Sequence, residues 1–411
     1  MKVVVVGSGG REHALAVVLG RTAEVVVTPG NPLIPGSVDT PVEDLVADGS
    51  VDLVVVGPEQ PLVAGLADRL RRDGVRVFGP GAEGAKLEGS KAYMKMIAEE
   101  AGLPTARWEA FTDEDDAVHH LAAMKGPYVV KTDGLAAGKG VLVTDSLADA
   151  EADVRSKLDG DTFGVAGRRV VIEEALVGPE VSVFAVCDGT RTVCLPAAQD
   201  FKRVGDGDAG PNTGGMGAWS PLPFIPEGFE EQVAEQFILP TLAELRQRGI
   251  DYRGVLYAGF ILTDEGPKLL EYNVRFGDPD SQVVLLRMTS DLAALLAAAA
   301  DGDLTAVPAP TFDDGAAVLV VAASEGYPVA PRTGDLIEGI DAAEAVDGAT
   351  VLGAGVGQRE GGPITTAGGR VLNVIGTGPT TDEARATAYA ALAHIAWPGE
   401  HHRSDIAVTP A

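Results

Sequence analysis

The segment from Leu269 to Asp280, LLEYNVRFGDPD, places a carboxylate, a carboxamide and a guanidinium within five residues at the end of an apolar run. Side chains on a strand alternate with period 2, so Glu271, Asn273 and Arg275 leave one face together. Two oxygen donors at that spacing suit Mg²⁺ or Mn²⁺, hard ions that take carboxylate and amide oxygens alongside water and phosphate. Arg275 is then placed to clamp an anion beside the metal. An edge strand with a solvated polar face would carry the same triplet, so the neighbouring segments decide between the two.

Three of those segments are informative. In PYVVKTDGLAAGKGVLVTD, Pro127 to Asp145, the order Gly134, Gly138, Lys139, Gly140 is one residue short of a P-loop, and strand patterns flank it on both sides where a P-loop needs a helix. It reads as a β-hairpin with Lys131 in the strand and Lys139 at a glycine-rich tip that could cover nucleotide phosphates and exclude water. In VVIEEALVGPEVSVFAVC, Val170 to Cys187, Glu173 and Glu174 end one strand and Glu180 begins the next. A backbone crossing between two subunits of structure there could meet an adenine edge and leave a carboxylate for the ribose, although an exposed hairpin with acidic ends fits equally. In QDFKRVGDGDAGPNTGGMGAW, Gln199 to Trp219, six glycines and no periodicity indicate a long irregular loop, of the kind that is usually functional inside a compact domain.

A net charge of −28 over 411 residues argues against nucleic acid and anionic membranes as partners, by repulsion. It also makes the ten lysines worth locating: Lys86, Lys91, Lys95, Lys131, Lys139 and Lys202 fall in or near the segments that could meet phosphate, which indicates an anionic ligand. The exposed face of one helix would account for Lys86, Lys91 and Lys95 instead. Cys187 and Cys194 read as core thiols, since no further Cys or His completes a zinc set. The opening MKVVVVGSGG has too short an apolar run for a signal peptide and no run reaches membrane-spanning length, so a cytoplasmic enzyme is expected.

The elements that must position these residues follow from the pattern. KVVVVG, EVVVTPG, VDLVVVG and VRVFGP alternate with helical stretches from about Arg11 and from Leu62 to Arg72, the signature of an open parallel βαβ sheet with its ligands at the carboxyl ends of the strands. The loop Gly7 to Arg11 opens a helix and suits a phosphate or carboxylate. A dinucleotide is disfavoured because the second strand ends in Thr28, Pro29, Gly30 and Asn31, with no carboxylate for a ribose. Ser90 N-caps a helix stopped at Gly102. Pro127 to Asp280 reads as mixed α+β. An Ala-rich helix from Asp291 to Ala300 and a strand-rich region with one helix, Asp382 to His394, complete the chain.

In order, GSGGREH, LEGSKAYMK, KTDGLAAGKGV, VIEEALVGPEVS, QDFKRVGDGDAGPNTGGMGAWSP, LLEYNVRFGDPD and HHRSDI resemble the glycinamide ribonucleotide synthetases (phosphoribosylamine-glycine ligases) of the ATP-grasp superfamily, over essentially the whole chain. The hairpin and the metal segment are shared widely in the superfamily, whereas GPNTGGMGA and RFGDP are specific to these ligases. The resemblance implies an α/β fold in three parts: an N-terminal Rossmann-like open parallel domain over 1–87, a central α+β ATP-grasp domain over 88–305 with a mobile lid at about 108–177, and a small β-rich C-terminal domain over 306–411. It implies ATP-dependent ligation of glycine to 5-phosphoribosylamine through glycyl phosphate, in purine synthesis, by a monomer.

Residue by residue, it implies that Lys91, Lys131 and Lys139 hold phosphates, that Glu173, Glu174, Leu176 and Glu180 frame adenosine, and that Glu271 and Asn273 bind Mg²⁺ or Mn²⁺. Arg275 would steady the acyl phosphate, with Lys139 and Asp200 in the catalytic set. Asp200 and Asn212, Thr213, Gly214 and Gly215 would surround the amino acid, and Gly9, Gly10, Arg11, Asn31 and Glu59 would meet phosphoribosylamine. The chain departs from the pattern at Ala258, where an acidic metal ligand is common thirteen residues before the Glu, and at Phe201, where His or Tyr is common. Three rivals remain: another ATP-grasp ligase or carboxylase, an NAD(P)-dependent oxidoreductase, and a protein that binds ATP without consuming it.

Overall fold

The computed structural model describes residues 1–135, 140–159, 168–359 and 361–408. The valine-rich runs form a four-stranded parallel sheet in the order Glu24–Pro29, Lys2–Gly7, Leu53–Val56, Val77–Phe78. Val4 and Val6 enter one apolar cluster and Val3 and Val5 another, so both faces are covered and the strand reads as an unbroken run. The helix expected from Leu62 to Arg72 is two helices, Glu59–Val63 and Leu66–Arg72, broken at Gly65, whose φ of 77° is left-handed.

Helix Lys91–Glu100 begins where the sequence places it, with the Ser90 hydroxyl accepting the Tyr93 N–H. Ala82–Gly89 is a separate helix, so the three lysines do not share one exposed face. Lys86, on the earlier helix, pairs with Glu83 in solvent.

The hairpin expected over Pro127 to Asp145 is present, with Lys131 opposite Val141. It belongs to an antiparallel sheet ordered Trp108–Phe111, Val170–Glu174, Tyr128–Thr132, Val141–Thr144. With the helices Glu114–Ala123 and Leu147–Leu158 it encloses a core of its own, including Leu121, Val130, Val154 and Ile172. This separately packed unit spans the residues expected to form a lid. Lys139, expected at the hairpin tip, lies outside the described residues.

The strands on either side of Ala175–Pro179 are not a hairpin. The chain leaves the lid sheet at Glu174 and enters a second antiparallel sheet at Glu180, ordered Thr192–Cys194, Glu180–Asp188, Arg253–Thr263, Gly266–Asn273. At the crossing, a Cβ on Gly178 would come within 2.0 Å of the Leu262 carbonyl oxygen, so only glycine fits. Cys187 and Cys194 are free thiols in this sheet, and burial raises both above the ordinary thiol range. In the last strand the register slips by one: Glu271 faces Gly259 but Leu269 faces Phe260, leaving Leu270 as a bulge. The bulge lets Leu269 and Tyr272 both enter the core while Glu271 and Asn273 line the cleft.

The last large sheet is ordered Gln199–Asp200, Gly217–Ser220, Ala316–Ala323, Arg370–Gly378, Ala349–Gly353. Its first two strands come from the middle of the chain, so the cut expected at 305/306 does not fall between sheets. The segment read as an irregular loop is also β structure: a ribbon of Arg203–Gly205 with Ala209–Asn212, flanked in sequence by the first two strands of this sheet. Its turns use left-handed Gly207, Gly210 and Gly215, and segments so short leave no alternation to read. Among the described residues no helix is long and apolar enough to cross a membrane.

Candidate active site

A cleft of about 2080 Å³ runs between the carboxyl ends of the parallel strands, the lid, the second antiparallel sheet and the last sheet. Most of the residues singled out in the sequence line it. Among its lining residues, Lys91 comes from the helix Lys91–Glu100, Lys131 from the lid, and Glu271 and Asn273 from the bulged strand. Burial works against ionisation of Glu271, but Lys202, Lys91, Lys131 and Arg275 outweigh it and hold the carboxyl below its ordinary value. Among the described residues this carboxylate takes part in no hydrogen bond and no ion pair. An ionised carboxylate with open lone pairs beside an amide oxygen is a donor set that fits a hard divalent ion.

Arg275 is tied down on two sides. Its guanidinium donates to Glu88 Oε1 at 2.9 Å, and its Nε lies 3.5 Å from Glu59 Oε2. Burial pushes the Glu88 carboxyl above its ordinary value despite Arg275, and its other oxygen accepts the Val274 N–H at 2.8 Å. Glu88, inside LEGSK, was not anticipated; a single carboxylate at a helix end carries no signal of its own.

The residues expected to frame adenosine differ in their contacts. Leu176, Glu174 and Glu180 line the cleft at the crossing. Glu174 bonds the Arg107 N–H and guanidinium, and Glu180 pairs with Lys202 at 2.8 Å. Glu173 is turned inward: one carboxylate oxygen lies 2.8 Å from Lys131 Nζ and the other 2.9 Å from Lys95 Nζ. Asp200 lies deep in the cleft, where burial pushes its carboxyl up to about 7, with Asp280, Glu180 and Glu271 adding to the push and Lys202 opposing it.

At the N-terminal loops the structure departs from expectation. The Gly9 N–H donates to Glu12 Oε2 at 2.7 Å, and Arg11 pairs with the other oxygen at 2.6 Å. The anion cradle read at Gly7 to Arg11 is thus filled by the chain's own carboxylate. Gly10 does not line the cleft; a Cβ there would sit 1.9 Å from Asn373 Nδ2, so it is a packing glycine. Gly215 is likewise a packing residue, against Pro279.

Asn31 is also away from the cleft. Its amide donates to the Ser8 and Gly353 carbonyls at 2.8 and 3.0 Å and accepts the Leu33 N–H at 2.9 Å. Beside it His13, pushed down to about 4 by burial and hence neutral, accepts the Gly353 N–H at Nδ1. These residues fasten the first sheet to the last. Asn31→Ala is expected to cost about 1–3 kcal/mol through orphaned buried partners; a urea titration checks it, with the KM for ATP unchanged.

The C-terminal region supplies further residues: the sequence did not point to Arg370 or Tyr327, and it marked Arg403 only within HHRSDI. Arg370 donates to the Gly214 carbonyl at 2.6 Å and to the Asp278 carboxylate at 3.0 Å, and the Tyr327 hydroxyl accepts the Gly214 N–H at 3.0 Å. Arg403, in HHRSDI, is almost fully buried, pairs with Asp208 and Asp405 at 2.7 Å, and lies 5.0 Å from the Phe201 ring centre. A cation over the ring is the contact that Phe201 makes where a His or Tyr would hydrogen-bond. Asn212, Thr213 and Gly214, expected to surround the amino acid, line the cleft, and Gly214 is held by residues of the C-terminal region.

A separately packed lid and an antiparallel sheet that meet along one nucleotide-sized cleft, with paired lysines facing a carboxylate and an amide, are the ATP-grasp arrangement, and this chain is of that class. Family models for phosphoribosylglycinamide synthetase match its three parts: the N domain over residues 1–88, the ATP-grasp (A) domain over 89–281 and the C domain over 317–409. The chain belongs to that family. It is 48% identical to the phosphoribosylamine--glycine ligase of Streptomyces coelicolor, covering 100% of each, and 46% identical to that of Caulobacter vibrioides, covering 99% of this chain and 97% of the other. The crystal structure of phosphoribosylamine--glycine ligase from Thermotoga maritima superposes with a TM-score of 0.87 at 37% identity, covering 99% of this chain and all of that one. The biotin carboxylase domain of the Hydrogenobacter thermophilus 2-oxoglutarate carboxylase, at 16% identity and a TM-score of 0.74 over 98% of this chain and 91% of the other, shares the fold.

Proposed function

We propose that this cleft joins glycine to 5-phosphoribosylamine with ATP, giving glycinamide ribonucleotide, ADP and phosphate, a step of purine synthesis. The observation that carries the residue assignment is the Glu271 carboxylate, ionised, unpaired among the described residues and faced by Lys91 and Lys131 from two different elements. Phosphoryl transfer needs positioning and charge neutralisation more than a protein nucleophile.

Adenosine lies at the crossing by Glu174, Leu176 and Glu180, and Lys91 and Lys131 hold its phosphates. Glu271 and Asn273 hold Mg²⁺ or Mn²⁺, which when bound neutralises phosphate charge. A glycine carboxylate oxygen, set by Asn212, Thr213 and Gly214, attacks the γ-phosphorus, and ADP leaves. The amine of phosphoribosylamine then attacks the acyl carbon of glycyl phosphate, phosphate leaves and the nitrogen loses a proton. Arg275 steadies the acyl phosphate, and Asp200, with its carboxyl near 7, can exchange that proton at neutral pH. Arg11 and Glu59 face phosphoribosylamine from the parallel sheet. A cytoplasmic monomer is part of this proposal.

The test is ADP release with MgATP and glycine, with and without freshly made 5-phosphoribosylamine. Release that requires both substrates is expected. ATP bound but never consumed with both present would overturn the reading in favour of a binding protein.

A further inference from the structure

Lys95 is fully buried one helical turn beyond Lys91, and it does not reach the cleft. Burying an ammonium is costly unless it is paired and hydrogen-bonded, so its contacts need a reason. Its Nζ lies 2.9 Å from Glu173 Oε2 and donates to Thr105 Oγ1 at 2.8 Å. The other oxygen of Glu173 lies 2.8 Å from Lys131 Nζ. Lys131 and Glu173 are diagonal neighbours on adjacent lid strands, where Lys131 faces Val171 and Val129 faces Glu173.

Two ammonium groups share one buried carboxylate, and Glu174, which also acts on Lys95, is engaged by Arg107 at the surface. The cluster therefore carries surplus positive charge, and Lys131 is its member in the cleft wall. Burial also pulls the Lys95 ammonium down to about 8, with Lys131 adding to that and Glu173 and Glu174 opposing it. Thr105 leads elsewhere. Its hydroxyl donates to the Leu269 carbonyl at 2.6 Å, and the Leu269 N–H donates to the Pro104 carbonyl at 2.8 Å, two residues before Glu271 on the bulged strand.

We propose that Lys95, with Thr105, is a positioning residue for nucleotide binding: it locks Glu173, and through it Lys131 of the lid, in register with the strand that carries Glu271 and Asn273. The lid packs around its own core, so a contact of this kind fixes where its lysine stands relative to the metal strand. Lys95 touches no substrate. It acts through Glu173 and Lys131, and the proposal rests on the nucleotide reading of the cleft.

The experiment is calorimetric binding of MgADP to the full chain, with the KM for ATP and for glycine as second readouts. Lys95→Met is expected to weaken MgADP on the order of tenfold and to raise the KM for ATP in parallel, leaving the KM for glycine within about twofold. Since removing a buried charge can unfold a protein, Thr105→Val and Thr105→Ser form an independent pair that alters no charge. Valine is expected to weaken MgADP by about threefold or more, and serine, which keeps the hydroxyl, to restore wild-type binding. Lys131→Met separates the two ways of failing. If it also binds MgADP like the wild type, the nucleotide reading falls. If it loses binding while Lys95→Met or, should that not fold, Thr105→Val binds within about twofold of wild type, the positioning role is overturned.

Discussion

Glu271→Ala is expected to lower ADP release by a factor on the order of 10³ or more while the protein stays folded. The carboxylate makes no bond within the fold among the described residues, so its removal breaks none. Its electrostatic contribution is a different matter. Because its folded pKa is held below the ordinary value, the ionised group stabilises the fold above the unfolded pKa, and that contribution is lost as pH falls through the folded one. The variant lacks it at neutral pH and leaves Lys91, Lys131 and Lys202 facing one another, so a small drop in thermal midpoint accompanies the loss of activity. MgADP binding should weaken as well, since the nucleotide's phosphates lose the carboxylate that would hold the ion neutralising them. Steady-state ADP release together with a thermal melt reads both quantities. Near-normal turnover in this variant would mean that the metal is held elsewhere.

Arg275→Met is expected to hurt both stability and activity, because this side chain serves the fold and the cleft at once. Removing it strands Glu88 in the interior, and breaking one side of a buried pair costs about 3–5 kcal/mol. The pH dependence identifies the cause. A carboxyl whose folded pKa lies above its unfolded value binds a proton more readily in the fold, so the folded state is favoured at low pH and loses ground as pH rises through that window. Glu88 is already raised in the wild type, and without Arg275 it must rise further. The gap in stability between variant and wild type should therefore narrow toward pH 5 and widen toward pH 8. Urea denaturation at several pH values measures this; a gap independent of pH would show that the lost packing of the Arg275 stem, not the stranded carboxylate, is the cause. Turnover should fall as well, and a KM for ATP that moves less than kcat would place the defect at the acyl phosphate.

The comparison of sequence with structure sorts by the range of the physics involved. Local rules settled the local features. Ser90 as an N-cap, the hairpin behind Lys131, the parallel sheet made of unbroken valine runs and the shared face of Glu271 and Asn273 each depend on the next few residues, so they are written in the chain. The order of short motifs was enough to indicate the class, because each is a backbone or charge requirement of the same chemistry.

Tertiary structure decided which of these residues face the cleft and which hold others in place. Gly10 and Asn31 follow the ends of two different strands, where a ligand would be expected, yet the partners that claim them, Asn373 and Gly353, lie more than three hundred residues away. The cradle at Gly9 is closed by Glu12, whose inward turn depends on Gly7 and Gly57 lacking side chains. Glu173 reads as an acid at a strand end and becomes the anchor of two buried lysines only when the lid packs against the helix Lys91–Glu100. Arg370 and Tyr327 have no motif to announce them, and HHRSDI does not say what Arg403 holds, because all three act by reaching Gly214 and Arg203, in the segment between the first two strands of the last sheet. The sequence by itself determined the chemistry available and the elements that carry it, since composition and periodicity act over a few residues. Which groups remain free to meet a substrate was decided by folding, since a hydrogen bond or ion pair is settled by whatever partner the fold brings within about 3 Å.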